Sequence, residues 1–484
     1  MASWLPIPYK VVIIGGGISG LSAAHALVKH SKVPCDVTIV ENQSIVGGWL
    51  KSTRYEDGSV FEHGPRNARS YGSTAIQALN ILSDLELEDK IIGVPKTHDA
   101  AKKRYIYAKG KLNELPSSVS SVMFRQEPFS KSLLSSIARE PFVKRSSSED
   151  ESVYDFFQRR FNKEIADYLA TSLCRGIFGG DAEQLSLRSC FKILFDYERQ
   201  HGSVVKGALF SKSDQPRVDS NALISRAKAE NWMGWTLQNG MQTLPEVWYD
   251  HLKSEGVKFL LNTRCKEIDY TTENKIHCVT SQGVIEADRV ISTLPSTQLS
   301  KLLSKCDKTL STMLDTVEYA DMAVVNLEYD SCKLPYQGFG FLVPTCEPCD
   351  ILGMTFDSLI FPQHTKSNSA IMTTMAGGAW FKEVFGNSGS ADVSKITELA
   401  VKSAHDILGI VANPKRTLCN VQRECIPQYK VGHEKKADEI KNYVKSNNLP
   451  LNILGNVWGG VSVNDVIVNA RNDTLKWLAG NHMY

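Results

Sequence analysis

The stretch from Lys10 to Glu41 limits this chain more than any other, because it reads as strand, glycine turn, helix, strand and acid in that order. Val11-Val12-Ile13-Ile14 is a continuous β-branched run of the kind found in buried parallel strands. Gly15, Gly17 and Gly20 follow with G-x-G-x-x-G spacing, Gly16, Ile18 and Ser19 filling the motif. The first glycine permits the tight turn, the second lets backbone approach a pyrophosphate, and the third lets the next helix lie close on the sheet. A helix is predicted over 21–29, its N-terminal N–H groups available to phosphates. Asp36–Val40 is the second strand, and Glu41 ends it where a carboxylate accepts from ribose hydroxyls. A glycine turn alone is weak evidence. With both strands, the helix and the acid in register it specifies a dinucleotide site.

At 484 residues the chain has room for about three domains and a large core. Its 55 basic and 53 acidic residues nearly balance, which argues against a nucleic-acid binder. The eleven cysteines are scattered and odd in number, as in a reduced or mixed environment rather than a disulfide framework. Cys346 and Cys349 form one C-x-x-C with no second pair, so no metal site is expected. The first ten residues lack the apolar core of a signal peptide, and no eighteen-residue apolar run predicts a spanning helix.

Along the chain, Leu50–Phe61 reads as two strands around Glu56-Asp57-Gly58, ahead of an irregular loop at Gly64-Pro65-Arg66-Asn67. Ser73–Leu87 reads as an amphipathic helix, and Arg104–Leu112 as a hairpin turning at Lys109-Gly110. Leu115–Phe195 is helical in character and mixes apolar with basic residues. Val153–Leu173 within it is expected to be one helix. Such segments suit either a packed bundle or a surface that dips among lipid headgroups. Val257–Leu261 and Ala287–Pro295 return to buried strand character, so the nucleotide domain is discontinuous. Lys275–Glu286 suggests a meander, and residues 305–417 form a strand-rich block that includes Ala323–Tyr329. Leu451–Gly455 is a late strand, and Val457–Asp465 opens a final helix whose N-terminus suits phosphate or flavin oxygens.

Gly47-Gly48-Trp49, soon after Glu41, resembles the second glycine motif of the flavin amine oxidase superfamily, with Ile45 where an arginine is usual. Further motifs run in order: Gly64-Pro65-Arg66, Ser172–Gly176, Gln337–Pro344, Cys425–Tyr429 and Val463-Asn464-Asp465. Together they resemble the eukaryotic protoporphyrinogen oxidase family over nearly the whole chain. The resemblance implies FAD as cofactor and an α/β fold in three parts. These are a Rossmann-like FAD-binding domain (1–95, 218–304 and 418–484), an α+β substrate-binding domain (96–109, 190–217 and 305–417) and a helical membrane-binding domain (110–189). It implies cofactor contacts at Gly15, Gly16, Gly17, Ile18, Ser19, Gly20, Glu41, Asn42, Gly48, Trp49, Gly64, Pro65, Arg66, Asn67, Cys265, Val461, Ser462 and Val463. For substrate it implies Arg104 against a propionate, Leu342 and Met375 about the rings with Phe339 beside them, and the Gly176 carbonyl on a pyrrole N–H. Thr355 stands where an aliphatic wall residue is commoner.

The reaction so implied oxidises protoporphyrinogen IX to protoporphyrin IX in haem synthesis, with molecular oxygen as acceptor and hydrogen peroxide released. No side-chain catalytic residue is named, because the flavin carries the chemistry. The family's setting implies the mitochondrial inner membrane, on its intermembrane-space side, a homodimer, and a downstream ferrochelatase as partner. The rival readings are a flavin-dependent amine or polyamine oxidase, a membrane flavoprotein without turnover, and an NAD enzyme.

Overall fold

The computed structural model describes residues 8–211, 221–271, 275–366 and 368–483. The boundary expected between 217 and 218, and most of the segment ahead of the first strand, lie outside them.

Tyr9–Ile14 is the middle strand of a five-stranded sheet in which every neighbour is parallel. Cys35–Val40 and then Lys258–Leu260 lie on one side of it, Arg289–Ser292 and then Leu451–Ile453 on the other. Chain segments more than two hundred residues apart therefore complete one Rossmann-like sheet. The β-branched runs explain this, since parallel strands are buried on both faces, and Val11, Ile13, Ile39 and Ile291 are all fully buried. The first helix begins at Ile18, three residues before the expected start, and the last helix, Val463–Gly480, packs against it.

A seven-stranded sheet forms the second layer. Its centre is two long antiparallel strands, Tyr319–Asp330 and Ser369–Gly378, the first longer at both ends than its alternating core suggested. Arg416–Pro427 flanks them on one side. On the other side come Ile351–Thr355, Gly340–Leu342 and the hairpin of Tyr105–Ala108 with Lys111–Glu114. That hairpin turns at Lys109 and Gly110, both with positive φ (56° and 74°), as a two-residue turn of this hand requires. The expected meander is also present, as Cys265–Asp269, Ile276–Thr280 and Gly283–Ala287.

Residues 119–210 are helical, and helices from Val153 to Phe210 share one apolar cluster around Phe156, Phe157, Phe178 and Leu187. The expected division at 189/190 falls inside this cluster. Val153–Leu173 is not one helix. The first segment stops at Arg160, and Asn162 caps a new start by accepting from the Ile165 N–H at 2.9 Å. A π-helical turn over Ala166–Ala170 then leads into Thr171–Phe178. The break has a cause in Arg160, which is wholly buried and donates to Val143 O, Gly202 O and Glu140. Ser73–Leu87 likewise ends early, at Leu82, and continues as a short 3₁₀ turn over Ser83–Leu85. No helix among the described residues is long and apolar enough to cross a membrane.

Candidate active site

The glycines of the first turn divide by what surrounds them. A Cβ on Gly20 would stand 2.1 Å from Gly15 O, and one on Gly15 would stand 2.4 Å from Thr293 Oγ1, so these two serve packing. A Cβ on Gly17 would meet nothing nearer than Gly48 Cα at 3.8 Å, so its space belongs to no protein atom. Gly47 N donates to Gly16 O at 2.9 Å, which brings the Gly47-Gly48 pair onto the turn as expected. Glu41 stands at the end of its strand, and its carboxylate accepts from Gly16 N at 2.7 Å and Gln43 N at 2.8 Å. Asn42 beside it is exposed. The loop Asn262–Arg264 closes this corner by hydrogen bonds to Gln43 O and Glu41 O. It leads to Cys265, whose thiol burial pushes up to about 11.

These residues suit a dinucleotide on grounds independent of the motif. The first helix has no side-chain cap and no acid in its first turn, so its leading N–H groups are free of a protein anion. Ser19 Oγ, in that turn, is buried without a hydrogen-bond partner. The open face of Gly17 lies beside both.

Trp49 carries the chain from this turn to the second sheet. Its carbonyl would lie 2.8 Å from a Cβ on Gly64, and it packs on the apolar cluster of Met322, Leu352 and Cys425, which Met375 and Trp380 also cover. The Gly64-Pro65-Arg66-Asn67 loop is then pinned from below and above. Thr236 Oγ1 donates to Arg66 O at 2.8 Å, and the Arg66 guanidinium donates to Thr355 and, at 3.3 Å, to Asp357. Glu62, just before the loop, is buried and accepts from Met241 N at 2.7 Å and Ser52 Oγ at 2.8 Å. Its burial raises its carboxyl pKa to about 8. Ser462 caps the last helix through Asp465 N. Val463 is buried in the nucleotide core, whereas Val461 packs on the helical cluster near Tyr429.

The proposed substrate residues come together on the seven-stranded sheet. Leu342, Gly353 and Met375 occupy one register row on three neighbouring strands. Two strand spacings put the outer two Cα atoms about 10 Å apart, with glycine between them. Gly176 faces the same place, since a Cβ there would stand 2.5 Å from Leu342 Cδ2. Phe339 lies three residues before Leu342, in a cluster with Met233, and Arg104 Nη2 reaches Met233 Sδ at 3.4 Å. Arg104 is exposed and pairs with no carboxylate among the described residues. Several residues at the site were not singled out from sequence: Thr293 and Thr236 under the two loops, Asp357 on Arg66, and Trp380 on the same apolar cluster as Met375. Only Thr293 carried a signal, as the residue after a buried strand and before Pro295.

The family model described as flavin containing amine oxidoreductase matches residues 18–449. Protoporphyrinogen oxidase of Bos taurus is 37% identical over 464 residues, covering 95% of this chain and 96% of that protein. The chain belongs to the protoporphyrinogen oxidase family. Protoporphyrinogen oxidase of Schizosaccharomyces pombe is 31% identical over 498 residues, covering 96% of this chain and 98% of its own. A crystal structure from Exiguobacterium sp. 255-15 matches with a TM-score of 0.79 over 98% of this chain and 99% of that one. At 19% identity that match speaks for the fold alone. As a member of the protoporphyrinogen oxidase family the chain is an FAD-dependent oxidase.

Proposed function

We propose that this protein oxidises protoporphyrinogen IX to protoporphyrin IX, using molecular oxygen and releasing hydrogen peroxide. The observation that carries the reading is the row Leu342–Gly353–Met375, roofed by Gly176 and joined to the nucleotide turn through Trp49. A flat tetrapyrrole needs an apolar cleft with few polar groups, and the middle of the row is glycine because Leu342 lies across it, its Cδ2 3.0 Å from where a Cβ on Gly353 would stand. The bound flavin supplies a two-electron acceptor, reduced once for each visit. The chain binds and orients: Leu342 and Met375 hold the rings, the Gly176 carbonyl accepts from a pyrrole N–H, and Arg104 meets a propionate. Arginine suits that last task because its planar fork matches a carboxylate.

The same reading puts the enzyme on the mitochondrial inner membrane, facing the intermembrane space. What supports this is a set of exposed apolar side chains on the helical part, with Phe142 88%, Phe124 70%, Leu209 73% and Phe210 72% exposed. Arg125, Arg139 and Lys144 stand among them. Apolar groups flanked by cations suit the boundary between acyl chains and anionic headgroups. The family resemblance extends the reading to a homodimer and to hand-off of product to a ferrochelatase.

The amine oxidase alternative predicts turnover of polyamines. Purified holoenzyme mixed separately with protoporphyrinogen IX and with putrescine or spermine separates the two. Porphyrin fluorescence and peroxide should appear with the first substrate and neither with the amines. Peroxide from the amines without porphyrin formation would reverse the assignment.

A further inference from the structure

Arg175 sits beside this cleft and has no part in the reading above. It lies in the last turn of the Thr171–Phe178 helix and is 6% exposed. Its Nη1 donates to Pro344 O at 3.2 Å, and its Nη2 donates to Cys349 O at 3.2 Å and Ile351 O at 3.0 Å. The guanidinium carbon stands 4.9 Å from the centre of the Trp380 ring. No carboxylate pairs with it among the described residues, and burial pulls its pKa below the ordinary guanidinium value.

A buried cation without a carboxylate in direct contact is costly, Asp350 acting on it only through space, and an apolar side chain would fill the volume at less expense in desolvation. What an apolar side chain lacks is the fork. Two of the three carbonyls, those of Pro344 and Cys349, belong to the loop that joins the Gly340–Leu342 strand to the Ile351–Thr355 strand, and the third, that of Ile351, opens the second strand. Pro344 is two residues beyond Leu342, and Ile351 is two residues before Gly353. Trp380 and Met375 pack on the same apolar cluster of Met322, Leu352 and Cys425, and Gly176 is the next residue after Arg175 itself. One guanidinium thus holds the carrier of Leu342 and Gly353, touches Trp380 on the apolar cluster that Met375 shares, and is covalently tied to the roof.

We propose that Arg175 is a positioning residue that sets the separation of the three walls of the cleft, and thereby its affinity for a flat tetrapyrrole. This rests on the proposed porphyrinogen oxidation. The test uses FAD-loaded wild type, Arg175→Lys and Arg175→Met. It measures steady-state porphyrin fluorescence, FAD per chain, and binding of protoporphyrin IX by tryptophan quenching. Both variants should show KM for protoporphyrinogen IX and Kd for protoporphyrin IX raised by about tenfold or more, with kcat and FAD content within about twofold of wild type. Lysine keeps the charge but cannot span three carbonyls, so a wild-type KM in Arg175→Lys would overturn the proposal. Loss of FAD and kcat together at constant KM would also overturn it, as the mark of a merely structural arginine.

Should neither variant fold, amide exchange in the wild type decides. Peptides covering 343–351 should exchange more slowly when protoporphyrin IX binds, and unchanged exchange would count against the proposal. If the wild type makes no porphyrin, the functional reading fails. The porphyrin-binding comparison then still reads the wall spacing on its own, a tenfold loss in the variants upholding it and equal binding refuting it.

Discussion

Arg66 and Asp357 meet at 3.3 Å where the nucleotide loop touches the seven-stranded sheet, their side chains 7% and 13% exposed. The contact does not stand alone. Asp357 also accepts from Thr355 Oγ1 at 2.7 Å and from Thr373, and Asn326 continues the chain by accepting from Thr373 and donating to Glu62 O at 3.0 Å. Thr355, an unusual wall residue when read from sequence, thus spends its hydroxyl on Arg66 and Asp357. Removing the carboxylate in Asp357→Ala would leave a buried guanidinium unpaired, at a cost of about 3–5 kcal/mol. Thermal unfolding of the holoenzyme should shift down accordingly, with Asp357→Asn intermediate. An unchanged Tm in Asp357→Ala would show the pair to be incidental.

Gly17→Val tests the cofactor turn. The first added carbon meets only Gly48, at 3.8 Å, so the apoprotein fold has room for it. The branched side chain would then fill the space a pyrophosphate approaches. The variant should purify folded, by circular dichroism, yet colourless. A yellow variant with one FAD per chain would refute the assignment of this turn.

Arg104→Ala is expected to lower kcat/KM for protoporphyrinogen IX by about ten- to a hundredfold, the scale of one lost charge-assisted pair. FAD content should not change, since among the described residues the Arg104 side chain is hydrogen-bonded to Met233 Sδ and not to the glycine turn or Glu41. Kinetics equal to wild type would remove Arg104 from the site.

Glu62 predicts a pH dependence. Burial raises its folded pKa to about 8, against an ordinary 4.5, while hydrogen bonds from Met241 N and Ser52 Oγ oppose the shift. Between those values the folded chain holds a proton that the unfolded chain has lost. This carboxyl therefore favours the folded state below about pH 4.5 and costs stability as pH rises toward 8, by up to about 1.4 kcal/mol per unit. Glu62→Gln mimics the protonated form and should flatten the fall of Tm between pH 5 and 8. Parallel Tm profiles for variant and wild type would exclude this contribution.

The nucleotide half was the more legible from sequence, for a physical reason. A β-branched run, a glycine turn and an amphipathic helix each carry their own local period, so Tyr9–Val40 could be placed element by element. The hairpin at Tyr105–Glu114 was readable likewise, because Lys109-Gly110 states its turn type. The break at Phe161-Asn162 was not, because it answers to Arg160 and the carbonyls of Val143 and Gly202, contacts no local pattern encodes. The cleft shows both cases. Family motifs pointed to Gly176, Leu342 and Met375, but the row that Leu342 and Met375 share depends on strand register across Gly353 and a bulge between Ile351 and Gly353. Asp357 was invisible for the same reason, since only the sheet brings it to Arg66.

The most direct test is anaerobic mixing of the yellow protein with protoporphyrinogen IX while the visible absorption band of the flavin is followed. The account predicts that the band bleaches and returns on admitting oxygen, with porphyrin fluorescence rising in step. A band unmoved by protoporphyrinogen IX, in protein carrying a full complement of FAD, would contradict it.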